Sequence, residues 1–246
     1  YNQVLPIARS LVDGMGFDCL PTTRGGIKHL IPVLDEFKKL RGHQKLVDSL
    51  PLEENSLIFL EAPTGEGKTL SFMSIASKIM ALGFASSVAV CLHTQATSNA
   101  MFKKLLGYFK RIFPEGGVFR LAHGNSSLLD ETQFAKGKAT KRYLAGRKKL
   151  ALFCHAVVCT VDQVLMAILP TKHHFLRAAG LLDKVLVIDE VHSLSFYMGV
   201  LTHYLLQRLK KWGNSVVLVS ATMPEFLKRF FIEAWGVELP PGFKFS

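Results

Sequence analysis

Short apolar runs rich in Val, Ile and Leu recur along the chain, at Leu57–Glu61, Ser87–His93, Val118–Ala122, Ala156–Thr160, Lys184–Asp189 and Ser215–Ser220. Within each run, apolar residues occupy consecutive positions rather than every second one. A strand of that kind buries both faces, as a mainly parallel sheet covered by helices on both sides requires. Between the runs, apolar positions recur at helical spacing. They predict helices over Lys68–Leu82, Gln95–Phe113, Asp130–Leu150, Val161–Leu169, Phe196–Lys211 and Pro224–Trp235. Such alternation predicts a doubly wound α/β fold. Residues 1–40 read differently. Gly14, Gly16, Gly25, Gly26 and three prolines cut them into short helical pieces, an entry segment or upstream linker ahead of one domain over 41–246.

Composition narrows the class. The 246 residues are 49% hydrophobic and 20% charged, which excludes a disordered or fibrous chain. No apolar run approaches the ~20 residues of a membrane span, and no basic-then-apolar leader opens the sequence, so a cytoplasmic, membrane-free setting is expected. The cysteines Cys19, Cys91, Cys154 and Cys159 are too irregularly spaced for a disulfide framework. Cys154 and Cys159 flank His155, but no second ligand pair follows, so buried free thiols are expected rather than a zinc site.

Charge points to an anionic partner. Lys and Arg number 30 against 19 Asp and Glu, a net +11. Between Gly67 and Val161 the counts are 14 basic and three acidic, against 16 and 16 elsewhere, so the whole excess sits in that window. Its densest part runs from Lys136 to Lys149 without an acid. By itself such a cluster is equally a solvated helix face.

The chemistry-bearing segments follow the predicted strands. Ala62-Pro63-Thr64-Gly65-Glu66-Gly67-Lys68-Thr69 links the first strand to a helix. Its glycines permit the backbone to wrap a polyphosphate, the helix end adds a positive dipole, Lys68 suits the β- and γ-phosphates, and the Thr69 hydroxyl suits Mg²⁺. A dinucleotide fingerprint is excluded, because no glycine follows three residues after Gly67. The run Val185–Ile188 ends in Asp189-Glu190-Val191-His192. Adjacent carboxylates at a buried strand end need a cation, so Asp189 is the candidate metal ligand and Glu190 the candidate base for an attacking water. The segment Ser220-Ala221-Thr222-Met223-Pro224 closes the last strand with hydroxyls able to bond the acids or a neighbouring strand. Together the cradle, metal ligand and base point to hydrolysis of ATP with Mg²⁺.

These three segments in this order resemble superfamily 2 helicases of the Asp-Glu-x-His type. The resemblance narrows at Leu92-His-Thr94-Gln95-Ala96-Thr97-Ser-Asn99-Ala-Met101, Thr160-Val-Asp162-Gln163-Val-Leu165, Pro170-Thr-Lys172-His173, Arg177 and Gly180-Leu181. From about Arg41 to Pro224 the chain is similar to CRISPR-associated type I effector helicase–nucleases. That resemblance implies the first RecA-like lobe of an ATP-driven motor moving 3′ to 5′ on single-stranded DNA, recruited by a crRNA-guided surveillance complex. It implies that Gly65, Glu66, Gly67, Lys68 and Thr69 bind ATP and Mg²⁺, and that Asp189 and Glu190 form the catalytic box. His192 and Ser220, Ala221 and Thr222 would couple hydrolysis to DNA, Gln44 would contact adenine, and Thr94, Gln95, Asn99 and Thr160 would grip the strand. The chain departs from the family at Ser193-Leu194-Ser195, where an Ala-Tyr-Asp sequence is usual, and that leaves open what the third position does. None of the nine histidines precedes an Asp, so the family's HD nuclease motif is not in this sequence, nor is the second lobe with its arginine finger. The sequence therefore reads as one lobe, a fragment or a subunit that works with its other half. Two other classes fit the same motifs: an RNA helicase of the superfamily, and a non-catalytic adaptor that ATP merely orders.

Overall fold

In the computed structural model, residues 42–114, 116–123, 148–240 and 243 are described. The entry segment 1–40 and most of the helix expected over Asp130–Leu150, with its basic run, lie outside those residues.

Six parallel strands build one sheet: β1 (Leu57–Glu61), β2 (Ser87–Leu92), β3 (Phe119–Ala122), β4 (Ala156–Thr160), β5 (Lys184–Ile188) and β6 (Val216–Ser220). Their order across the sheet is β1-β6-β5-β2-β4-β3, with every adjacent pair parallel. This is the doubly wound arrangement expected from the runs. The helices are α1 (Gly42–Ser49), α2 (Lys68–Ala81), α3 (Gln95–Ile112), α4 (Val161–Leu165), α5 (His174–Leu181), α6 (Phe196–Lys211) and α7 (Glu225–Ala234). Among them none is long and apolar enough to cross a membrane.

The two-sided burial has a simple basis. On β2, Val88, Val90 and Leu92 join one hydrophobic cluster with Phe72, Ile75 and Ile79 of α2 and Phe102, Leu105 and Phe109 of α3. The intervening Ala89 and Cys91 join the opposite cluster, with Val164 of α4, Leu205, Leu206 and Leu209 of α6 and Phe231 of α7. Alternate residues of each strand thus face different helix layers, and a polar strand residue buried between them needs its own partners, as Lys184 finds in the Ser87 hydroxyl and the Cys154 carbonyl, both at 2.8 Å.

Two helices differ from expectation. α4 stops at Leu165, not Leu169, because the backbone tightens into i−3 bonds from Ala167 to Val164 and from Ile168 to Leu165 ahead of Pro170. α5 was not expected at all. A Cβ on its Gly180 would lie 2.8 Å from the Leu152 Cβ, so glycine permits α5 to press on the 3₁₀ turn Lys148–Phe153. Cys91, Cys154 and Cys159 are free and buried. The ring of His155 accepts the Val118 N–H at 3.0 Å, and among the described residues no cluster of His, Cys, Asp or Glu suits a metal by itself.

Candidate functional site

The segments Ala62–Thr69, Leu92–Met101, Thr160–Leu165, Asp189–His192 and Ser220–Pro224 all leave the sheet at its carboxyl edge. The strand order reverses there, because β1 leads to β2 across β6 and β5, and such a crevice is where open α/β sheets take ligands.

The loop after β1 turns on two glycines in the left-handed region, Gly65 and Gly67, both at φ 80°. Gly67 caps α2 with no side-chain hydrogen bond, so the first helical amides are presented to whatever lies in front of them. Gln44 of α1 is buried against this loop, its amide donating to the Gly67 carbonyl at 3.3 Å. A Cβ on Gly67 would stand 2.5 Å from that amide nitrogen. Lys68 opens α2. Its side chain is 9% exposed and its Nζ, 3.7 Å from Glu190 Oε1, has no hydrogen-bond partner. An ammonium this buried, faced by one carboxylate but making no hydrogen bond, has its donors left for a phosphate.

The acids lie opposite. β5 is followed at once by Asp189, buried, whose backbone N–H donates to the Cys91 carbonyl and whose Oδ1 accepts the Glu190 N–H at 2.9 Å. Burial raises the Asp189 pKa above the usual carboxylate range and the neighbouring Glu190 charge raises it further, while Lys68 and Lys104 pull it down. Glu190 adopts φ 56°, a left-handed conformation that a non-glycine residue holds only where the surroundings enforce it. That turn leaves its carboxylate between Lys68 and His192, whose Nε2 is 3.3 Å from Oε2. Asp189 and Thr69 offer one carboxylate and one hydroxyl. Mg²⁺ is usually held by that sparse a protein set, with nucleotide phosphates and water supplying the rest, so the donor chemistry fits.

The third segment joins the second directly. The Ser220 hydroxyl donates to the Thr222 carbonyl at 2.6 Å, and its oxygen lies 2.8 Å from His192 Nδ1. Glu61, the last residue of β1, accepts the Met223 N–H at 3.0 Å and pairs with Lys228 of α7 at 2.6 Å. The loop strand, the Ser220–Met223 turn and α7 are therefore tied at one carboxylate that sequence reading missed.

Thr94, Gln95 and Thr160 line a second cavity of about 610 Å³ farther along the same edge, with His93, Asp162 and an apolar wall that includes Met166, Tyr197 and Met198. Asn99, expected with them, instead bonds His123 Nε2 at 2.8 Å. Thr94 is also the N-cap of α3, its hydroxyl accepting from the Thr97 N–H while the Thr97 hydroxyl accepts from the Thr94 N–H.

Residues 41–230 match the DEAD/DEAH box helicase family. The chain belongs to that family. Within it, the chain is 35% identical over 221 residues to the CRISPR-associated endonuclease/helicase Cas3 of Escherichia coli K12, an alignment covering 85% of this chain and 25% of that one. Its fold superposes on T. fusca Cas3 with AMPPNP at a TM-score of 0.79 and 27% identity, over 96% of this chain and 27% of that one. It also resembles a chain of a CRISPR RNA-guided surveillance complex, pre-nicking, at a TM-score of 0.57 and 27% identity, over 89% of this chain and 22% of that one. The chain spans about a quarter of the length of the relatives it matches. The fold is thus RecA-like, as expected.

Against that family pattern, the Ser193-Leu194-Ser195 departure has a local explanation. Ser195 is the N-cap of α6, accepting the Met198 N–H at 3.3 Å, a task that Ser and Asp perform equally well. The sequence did not reveal Lys104. Its Nζ donates to Thr69 Oγ1 at 2.9 Å, from a helix whose many lysines give no single one away.

Proposed function

We propose that this chain is the first motor lobe of an ATP-dependent helicase of the Cas3 kind, binding ATP with Mg²⁺ and moving single-stranded DNA. The observation that carries the reading is the orphaned Lys68 ammonium 3.7 Å from Glu190, in the crevice that also takes in Asp189 and Thr69. On this reading Gly65, Glu66 and Gly67 wrap the phosphates, and Lys68 leaves Glu190 to meet the β- and γ-oxygens. Thr69 and Asp189 would hold Mg²⁺, which would supply charge neutralisation to the phosphate oxygens. Glu190, released from Lys68, orients the attacking water and accepts its proton. The chain from Glu190 through His192 and Ser220 to the Thr222 carbonyl gives a hydrogen-bonded route from the hydrolytic base to the Ser220–Thr222 turn. Gln44, lodged on the loop, is one bond from the Gly67 carbonyl and suits reading of an adenine beside it. Thr94, Gln95 and Thr160 supply hydroxyl and amide groups for a phosphate backbone, contacts that need no base identity. The second lobe, an HD nuclease and a crRNA-guided complex are the partners this reading assigns, and residues 41–246 form its ATP-binding lobe.

The test is nucleotide binding and hydrolysis in the presence of single-stranded DNA or RNA. Lys68→Ala is expected to lose ATP affinity, and Glu190→Gln to retain it while hydrolysis falls at least ~10²-fold. Unimpaired hydrolysis by Glu190→Gln sinks the assigned base, and stimulation by RNA alone moves the substrate class.

A further inference from the structure

Lys104 stands on the exposed side of α3, where its ammonium has water available, yet it donates to Thr69 Oγ1 at 2.9 Å. Thr69 is one of the two protein groups that offer themselves to Mg²⁺. We propose that Lys104 is a stand-in cation: it holds the Thr69 hydroxyl that the divalent ion would take, and gives it up when the ion enters.

The argument is one of occupancy. A threonine hydroxyl has two lone pairs, and the Lys104 bond uses one. On the remaining pair, Mg²⁺ at its usual ~2.1 Å would stand roughly 4 Å from the ammonium. Two cations at that separation, in a crevice of reduced dielectric, repel strongly. Ammonium and metal are therefore mutually exclusive on this oxygen. An ammonium carries less charge than a divalent ion and bridges no phosphates, so it holds the Thr69 hydroxyl and yields it to the metal.

This inference rests on the nucleotide reading above, and its experiment separates the two. The dissociation constant of a fluorescent, non-hydrolysable ATP analogue is measured in Mg²⁺ and in EDTA, for the wild-type chain, Lys104→Met and Lys103→Met. Lys104→Met is expected to raise the ratio of the EDTA constant to the Mg²⁺ constant about three- to tenfold, the worth of one competing hydrogen bond. Lys103→Met, which removes the adjacent surface charge, is expected to leave the ratio unchanged. An unchanged ratio in Lys104→Met overturns the proposal. So does an equal loss of affinity in both conditions, which makes Lys104 a mere attractor of triphosphate, or an equal rise of the ratio in Lys103→Met. If the wild-type chain binds the analogue in neither condition, the nucleotide reading itself falls, and this inference falls with it.

Discussion

Single residues at this site hold conformations or charges that make sense only in company. Glu190 takes a left-handed backbone that costs on the order of 1 kcal/mol. It is held there between Lys68 and His192. Glu61 is the quieter case. Burial works to raise its pKa, but the Lys228 ammonium and the Met223 N–H outweigh burial and hold it below the ordinary 4.5. A carboxylate with a depressed folded pKa adds stability that is present above the unfolded value and lost as pH falls through the folded one. Glu61→Gln is therefore expected to lower the unfolding free energy measured by urea titration at pH 7, by no more than about 1 kcal/mol because the pair is partly solvated. That gap should close as the pH drops below about 4.5. A gap that persists at pH 3 would count against the ion pair as its source. Lys68 and Glu190 were legible in the sequence because their motifs are contiguous. Glu61 was not, since its partners Met223 and Lys228 lie more than 160 residues away.

Among the elements, α3 carries the most. Its first turn holds Thr94 and Gln95, its second Asn99, and its third Lys104. Thr94 has two claims on it, as helix cap and as candidate strand contact, and they can be separated. Thr94→Ala is expected to destabilise the fold by about 1 kcal/mol through the lost cap, with Thr94→Ser restoring it. Gln95→Ala, exposed and outside the cap, is expected to leave the thermal midpoint unmoved while weakening single-stranded DNA binding about three- to tenfold. Equal loss of stability in both variants would remove the distinction. Strand positions were plain from the apolar runs, since a strand buried on both faces advertises itself. Helix ends were less so. The 3₁₀ tightening after Leu165 and the packing of Gly180 on Leu152 are responses to neighbours remote in sequence, and hydrophobic period is blind to neighbours.

For the whole molecule, the two properties that matter are that it spans about a quarter of its relatives' length and that its charge is uneven. The resemblance assigns the arginine finger to a second lobe, and such a finger is worth ~10³–10⁵ in rate. The 246-residue chain by itself is therefore expected to bind ATP yet hydrolyse it very slowly, and brisk turnover in a phosphate-release assay would contradict the lobe assignment. The +11 excess is confined to the window from Gly67 to Val161, which contains the phosphate loop's lysine, all of α3 and Thr160. Thr94, Gln95 and Thr160 line one cavity, and Asn99 is hydrogen-bonded to His123. Nothing in linear spacing distinguishes these outcomes.

The division between sequence and tertiary structure follows from the range of the forces. Apolar period, the glycine spacing before Lys68 and the doubled acid at Asp189 and Glu190 are local properties, and they determined the α/β class, the strand positions and the candidate site segments. Only the folded sheet decided that β6 lies between β1 and β5, so that Ser220 meets His192 and Glu61 meets Met223. It alone brought Lys104 to Thr69, 35 positions away. Strand order and helix docking are set by burial of apolar area over the whole sheet, a non-local sum that no window of the sequence contains.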